Sequence, residues 1–264
     1  MKISYSELAL LGKPVLENVD SLIALGAKKI ELMQEGEPWD DVDRQWDKLA
    51  KELVQRKVEY SVHPPPWDHN LTSETHSIRE AVFDLYKRCI EFTAAIGGGQ
   101  MVLHPGFYSS PAFSKDTAKK RALEATHKLS AIAKPLGVKL AFENVGFRGQ
   151  SLYDMEEFIS VLDGMDETVG YLIDTGHAHL NGWDIPGLIR RTAPRLLGIH
   201  LHDNDGKGDS HRPLYEGTIN WDPIVAAIRE TYLQGEIILE YAPFVNIEQY
   251  PKDEKTLMEL LKTT

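Results

Sequence analysis

Short apolar runs alternate with longer amphipathic stretches along the whole chain. The apolar runs predict strands, and the stretches with apolar residues three and four positions apart predict helices. Gly26, Gly137 and Gly235 come shortly before apolar runs and mark joints between elements. The predicted strands are 2–6, 28–33, 58–63, 99–104, 138–144, 169–174, 196–202 and 236–241. The predicted helices include Trp39 to Arg56, His76 to Ile96, Thr117 to Lys134, Met155 to Leu162, Ile185 to Arg191 and Pro223 to Thr231.

This alternation predicts the fold class. Eight strand-helix units over 264 residues average about 33 residues each, close to the repeat of an eight-stranded barrel. No linker or low-complexity tract interrupts the series. We therefore predict an α/β chain with a single (β/α)8 TIM barrel over residues 1–264. A doubly wound open sheet is the alternative, but the stretch SYSELALLGK around the end of the first strand lacks a glycine-rich phosphate-binding pattern.

The composition indicates a soluble globular protein. A hydrophobic content of 42 % and a charged content of 26 % are ordinary for a soluble globular chain. No apolar run approaches the roughly 20 residues that cross a bilayer, and the amino terminus lacks a signal-peptide pattern. The single Cys89 cannot form an internal disulfide, so we expect a cytoplasmic protein with no membrane partner. The net charge of -11 argues against a broad basic surface for nucleic acid and leaves a local metal-lined groove open.

Ionisable side chains follow the apolar runs at the carboxyl ends of six different strands. They are His63, His104, Glu143, Asp174, His200 and Glu240, and His177, Asp209 and His211 lie just beyond. The strand ends of such a barrel converge on one mouth, where active sites of this fold are built. So many charged groups in one volume are costly unless cations compensate them. We therefore predict a divalent metal site, with zinc or manganese expected first, because imidazole and carboxylate without thiolate suit these metals.

Each residue also has an ordinary structural interpretation. A lone histidine at a strand end is more often a hydrogen-bonded structural residue than a ligand. The pair Glu143 and Asn144 could cap the following helix, and Asp174 to His177 could form a turn. Independent structural explanations for six strand ends at once are far rarer than one shared metal site.

Further residues are predicted to contact a substrate. His200 and His202 share a strand face, so their depth decides which one coordinates. We favour His200 as the ligand and His202 as a supporting or substrate contact. Lys207 and Arg212 are predicted anion contacts in the following loop, and Trp183 is a predicted pocket residue, although solvation or rim packing is the commoner role for each type.

Seven motifs carry a family resemblance between about residues 58 and 241. They are VHPPP (62–66), LHPG (103–106), FENVG (142–146), IDTGHAH (173–179), HLHDNDGKGDSH (200–211), YEGTINW (215–221) and LEY (239–241). The chain resembles the xylose-isomerase-like barrel superfamily, in particular its sugar phosphate isomerase and epimerase branch. It is also similar to the type IV apurinic endonucleases.

The isomerase and epimerase resemblance implies one ion held by four residues, Glu143, Asp174, His200 and Glu240. It further implies that Glu143 and Glu240 are catalytic and move a proton next to a carbonyl of a sugar, sugar phosphate or polyol-like substrate. The metal would stabilise the enediolate charge in such a reaction. Which glutamate removes the proton stays open.

The endonuclease resemblance implies two or three zinc ions and phosphodiester hydrolysis. The nine positions that carry over are His63, His104, Glu143, Asp174, His177, His200, Asp209, His211 and Glu240. The chain departs from those enzymes at Tyr215-Glu216-Gly217, where they have a Gly-Glu-Gly turn, at Trp221, and in the acidic loop MQEGEPWDDVD (33–43). We therefore favour the small sugar-like substrate over nucleic acid. A barrel that only binds a ligand is a third class, and a homodimer is an expectation because dimers are common among such barrels.

Overall fold

The structure is a computed structural model that describes residues 2–40 and 42–262, without the side chains of residues 42–44. Within these ranges eight parallel strands close into a barrel in sequence order. The strands are β1 (Lys2–Ser6), β2 (Lys29–Met33), β3 (Glu59–His63), β4 (Gln100–Leu103), β5 (Lys139–Glu143), β6 (Val169–Asp174), β7 (Leu196–Leu201) and β8 (Glu236–Leu239). Each strand lies within its predicted range, and the predicted (β/α)8 barrel is confirmed.

Helices surround the barrel. They are α1 (Val15–Ala24), α2 (Val42–Val54), α3 (His76–Ala95), α4 (Lys115–Leu136), α5 (Met155–Ser160), α6 (Thr175–Leu180), α7 (Ile185–Thr192), α8 (Trp221–Glu230) and α9 (Gln249–Lys262). The predicted start of the second helix at Trp39 is wrong, because residues Glu37–Trp39 form a separate 3-10 turn. None of the helices predicted above covers α1, α6 or α9. Part of the predicted acidic loop, residue 41 and the side chains of residues 42 and 43, lies outside the described residues.

The core has two layers, as strand alternation requires. Side chains that point outward from the strands, such as Ile30, Phe142 and Ile173, are buried against the helices in one large apolar cluster. Inward-pointing side chains form a small second cluster inside the barrel, which consists of Val102, Ala141, Leu172 and Ile238. The barrel is therefore packed with side chains on this side of its axis.

The other side of the barrel interior is polar. At the amino-terminal end of the strands, the Lys29 Nζ atom lies 2.5 Å from Glu236 Oε2, and Ser61 Oγ donates a hydrogen bond to Glu236 Oε1 at 3.1 Å. Ser4 and Glu31 are fully buried nearby on β1 and β2. The ion pair of Lys29 and Glu236 offsets part of the cost of placing charge inside the barrel.

The carboxyl ends of the strands form the opposite face and carry the predicted ionisable residues. β1 pairs with β8 from Lys2 opposite Glu236 to Tyr5 opposite Leu239, which brings the last strand beside the first. None of the described helices is long and apolar enough to cross a membrane.

Candidate metal centre

Glu143 occupies the middle of the site. It is the last residue of β5, and its inward-pointing carboxylate is buried. Its Oε2 atom lies 2.8 Å from His104 Nε2 and 3.8 Å from His63 Nε2, at the ends of the neighbouring strands. The ligand atoms of these three residues lie within 4.8 Å of one another, so they could hold one cation.

A second group forms around His200, which β7 places inside the barrel mouth. Its Nδ1 atom lies 3.2 Å from Glu240 Oε2, 3.8 Å from Asp174 Oδ2 and 3.9 Å from Glu143 Oε1. This nitrogen is buried and has no hydrogen-bond partner. Three carboxylates that converge on one unpartnered imidazole nitrogen suit a divalent cation, because zinc and manganese accept this mixture of ligands.

The third group belongs to the loop after β7. Asp209 Oδ2 lies 3.1 Å from His177 Nε2 and 3.2 Å from His211 Nε2, so one oxygen faces two imidazoles. His211 has a φ of 42°, a left-handed conformation that is uncommon for a residue other than glycine. Its Nδ1 atom lies 3.5 Å from Glu240 Oε2, which connects this group to the second one. All nine predicted ligand residues are thus brought together at one mouth, and their role as ligands stays a prediction.

The electrostatics of the site follow from these contacts. Burial raises the pKa of Glu143, but the neighbouring His104, His177 and His200 outweigh it, so the net pKa lies well below the ordinary range. Burial lowers the pKa of His63 to about 4, with further lowering by the positive charge of His104.

In the third group the pKa of a histidine shifts upward instead. Burial lowers the pKa of His211, but the carboxylate of Asp209 outweighs it and raises the pKa to about 9. Burial also lowers the pKa of His177 and of His200, but the surrounding carboxylates outweigh it. The pKa values of both histidines therefore lie well above the ordinary range. Cations that bound here would therefore displace protons from imidazoles, and their affinity would rise with pH.

Asp174 and Asn144 hold the end of β6 in place. Asp174 is the N-cap of α6, and its Oδ1 atom accepts a hydrogen bond from the backbone N–H of His177 at 2.6 Å. Asn144 accepts a hydrogen bond from the backbone N–H of Asp174 at 2.7 Å and donates one to its carbonyl oxygen at 3.0 Å. The alternative that Glu143 and Asn144 cap the next helix is therefore wrong, because Asn144 bonds to the backbone of β6.

The predicted substrate contacts lie at varied depths. His202 is fully buried, its Nε2 atom lies 2.9 Å from Asp174 Oδ2, and its ring stacks on His211 at 3.7 Å. Trp183 packs against Phe158 beneath the mouth. Lys207 is exposed on the loop, and the backbone of Arg212 pairs with that of Asp203. Their contact with a substrate stays a prediction.

Two further residues shape the site and were not found in the sequence. Glu31, on β2, lies against the Nε2 atom of His200, and burial raises its pKa to about 7 although the charge of His200 opposes this. Asp203 is fully buried at the start of the loop that carries Asp209 and His211. Glu31 could have been noticed in the sequence, because it is a carboxylate between the apolar residues Ile30 and Leu32 of a predicted strand.

A cavity of about 480 Å³ opens above the donor groups. Its floor consists of ionisable residues, namely His63, His104, Glu143, His177, Asp209, His211 and Glu240. Its walls carry aromatic and amide side chains, among them Trp67, Phe107, Phe147, Asn70 and Gln150. Among the described residues that line it, none is lysine or arginine. The cavity can therefore take a small molecule with one end on the donor groups.

Eight parallel strands that close into a barrel with helices around it define the TIM-barrel class. The cluster of carboxylates and imidazoles lies at the carboxyl-terminal mouth, where this class builds its active sites. Residues 19–263 match the family model described as xylose isomerase-like TIM barrel, and the chain belongs to this family.

Two curated relatives extend the comparison. The chain is 25 % identical to the uncharacterized protein MJ1311 of Methanocaldococcus jannaschii over 269 residues, which cover 99 % of the chain and 90 % of the relative. It is 24 % identical to the probable endonuclease 4 of Moorella thermoacetica over 187 residues, which cover 64 % of the chain and 66 % of the relative. The match to that endonuclease thus spans about two thirds of its length.

Solved structures share the fold. A D-tagatose 3-epimerase-like protein superposes with a TM-score of 0.86 and 22 % identity, over 99 % of this chain and 97 % of the other. The IOLI protein, solved with a bound zinc atom, superposes with a TM-score of 0.82 and 18 % identity, over 99 % and 98 % of the two chains. At these identities the similarity establishes the barrel and not the reaction.

Proposed function

We propose that the protein is a divalent-metal-dependent isomerase or epimerase of an uncharged sugar or polyol-like substrate. The observation that carries this proposal is the cavity itself, whose floor offers metal ligands and a pair of glutamates and whose described walls offer aromatic and amide groups without a lysine or arginine. Phosphate groups are usually bound by arginine, lysine or backbone N–H groups, so these walls favour hydroxyl groups over phosphate. The D-tagatose 3-epimerase-like protein among the structural neighbours is consistent with this choice.

The walls suit a polyhydroxylated ligand. Trp67 stands at the rim with 61 % of its surface exposed, and Phe107 and Phe147 line the same cavity. Aromatic faces pack against the apolar faces of sugar rings, whereas the amides of Asn70 and Gln150 can exchange hydrogen bonds with hydroxyl groups. A cavity of about 480 Å³ is in the range of small-molecule sites.

Glu143, Asp174, His200 and Glu240 would hold the metal, which would supply Lewis acidity toward a substrate carbonyl. Glu240 is the better proton acceptor of the two glutamates. His200 and His211 both contact Glu240 at Oε2, whereas both oxygens of Glu143 face imidazoles. Glu240 would remove the proton next to the carbonyl, and Glu143, which lines the same cavity, would return a proton taken up from solvent.

Exchange of substrate hydrogen with solvent deuterium tests this function. The metal-loaded protein should exchange the hydrogen next to the carbonyl in at least one member of a panel of ketoses, keto-acids and inosose-like polyols. Glu240→Gln should reduce the exchange rate by about 10²-fold or more, because a positioned general base contributes that much. Glu216→Gln, a change at an exposed glutamate of the neighbouring loop, should leave the rate unchanged. An inert panel would refute the proposal.

A multi-metal phosphoesterase is the second candidate. The observation that favours it is the third donor group, His177, Asp209 and His211, which a single-metal epimerase does not require. Glu143 also belongs to two donor groups and would help to hold the ion of each. Two or three metals could activate water and stabilise the leaving oxygen of a phosphodiester. The relative named probable endonuclease 4 is consistent with this chemistry.

Metal counting and one nuclease assay separate the two candidates. One ion per chain with exchange activity would support the epimerase, whereas two or three zinc ions with cleavage of an abasic duplex would support the phosphoesterase. Such cleavage should disappear in Glu143→Gln. Metal retention with neither activity would leave a ligand-binding barrel as the remaining class.

A further inference from the structure

The most unusual buried charge outside the predicted ligand set is Glu31. It lies in the middle of β2, and its side chain points into the barrel and has no exposed surface. Both of its oxygens face one atom, His200 Nε2, with Oε1 at 3.2 Å and Oε2 at 3.3 Å. A carboxylate taken out of water costs free energy unless a partner compensates it, so this contact calls for an explanation.

Glu31 contacts the side of the His200 imidazole that points away from the second donor group. His200 Nε2 faces Glu31, whereas His200 Nδ1 faces the carboxylates of the second donor group. A neutral imidazole carries its proton on one nitrogen and coordinates through the other. A carboxylate that accepts the Nε2–H bond therefore leaves the lone pair on Nδ1 and fixes the plane of the ring.

We propose that Glu31 is a positioning residue that holds His200 as the Nε2–H tautomer, with Nδ1 directed at the metal. This inference rests on the metal site of the proposed function and is independent of the substrate. Carboxylates behind ligand histidines also raise the basicity of the ligand, and their loss weakens metal binding. Glu31 accordingly acts on the metal through His200 and touches no substrate.

Zinc titration of the purified, chelator-stripped protein tests the inference. Competition with a chromophoric chelator gives the affinity, and elemental analysis at saturation gives the number of ions. Glu31→Ala should weaken one zinc ion by roughly 10- to 100-fold and leave the number at saturation unchanged. Glu31→Gln should stay within about fivefold of the wild type, because its amide oxygen accepts the same N–H in a neutral bond.

Glu7→Gln is the matched control. Glu7 is a second buried glutamate on the barrel, and its carboxylate accepts hydrogen bonds from Asn18 and from the backbone N–H of Met33, away from the donor groups. Its variant should bind zinc with wild-type affinity whatever the change in its unfolding temperature. Loss of a buried charge alone would then be excluded as the cause.

Three results would overturn the inference. The first is a Glu31→Ala affinity within about twofold of the wild type, and the second is one ion fewer at saturation, which would make Glu31 a ligand. The third result comes from the wild-type protein, so it can be obtained even if Glu31→Ala does not fold. Nitrogen-15 spectra of the zinc-loaded wild type should show His200 protonated at Nε2, and protonation at Nδ1 would refute the role. Because no substrate enters these assays, an inert substrate panel would leave the result intact.

Discussion

Asp203 fixes the loop that carries Asp209 and His211. Its Oδ1 atom accepts hydrogen bonds from the backbone N–H of Asn204 at 2.8 Å and of Ile219 at 3.1 Å. Its Oδ2 atom accepts one from Trp221 Nε1 at 2.9 Å. The two ends of the loop are therefore joined through one buried carboxylate.

Replacing Asp203 by alanine would leave these three buried donors without their acceptor. A buried donor that loses its partner costs about 1–3 kcal/mol, and water that enters the space would recover part of this. We therefore expect Asp203→Ala to lower the free energy of unfolding by about 3–6 kcal/mol. We also expect the third donor group to lose its metal first, because its loop is no longer closed.

Urea unfolding of the chelator-stripped protein measures the first effect, and elemental analysis of the metal-loaded protein measures the second. Asp205→Ala is the control in the same loop, because Asp205 is partly exposed, its Oδ1 atom accepts the backbone N–H of Lys207, and its Oδ2 atom lies 3.9 Å from the exposed Arg212. It should cost less than about 1 kcal/mol. A loss below about 1 kcal/mol in Asp203→Ala, with the metal content unchanged, would refute this account of the loop.

Two further predictions concern stability away from the mouth. Burial raises the pKa of Glu7 from 4.5 to about 7. Below pH 4.5 the carboxyl group is neutral in both the folded and the unfolded protein. As the pH rises from 4.5 to about 7, the unfolded protein loses this proton first, and the free energy of unfolding falls. Between pH 4 and pH 8 the wild type should therefore lose about 3 kcal/mol relative to Glu7→Gln in parallel urea titrations, and parallel pH curves would contradict this. Tyr232 has a φ of 49° and 81 % exposure, so Tyr232→Gly should relieve left-handed strain and raise the free energy of unfolding by about 0.5–1 kcal/mol. A lower melting temperature for that variant would count against it.

The barrel and the convergence of the nine ionisable residues could be predicted because apolar runs and strand ends are local features. Asp174 and His200 each follow a run of apolar residues, and the fold then brings such ends to one face. The short helix α6 was missed because it has six residues and contains Gly176, which gives too little periodicity. The helix α9 was missed because a proline usually signals a break inside a helix, whereas Pro251 stands in the first turn of α9, where proline is tolerated.

The depth of a side chain is the part that sequence could not supply. Lys29, Glu31 and Met33 share one face of β2, and alternation alone does not say whether that face is the barrel interior or a solvated surface. His200 and His202 pose the same problem, and only the closed barrel shows that both are buried and that their nearest partners differ, Glu31 and Glu240 for His200 and Asp174 for His202. Asp203 was hidden because its partners Ile219 and Trp221 lie beyond a long loop.

The pairing of β1 with β8 joins residues that are more than 230 positions apart, from Lys2 opposite Glu236 to Tyr5 opposite Leu239. Contacts of such high sequence separation form late, because the chain must lose the entropy of a long loop before they contribute. Glu240 follows directly on β8, so the second donor group is complete only once this last seam has closed. Metal uptake during refolding would thus report the final step of folding, and an ion bound there would slow the opening of the seam.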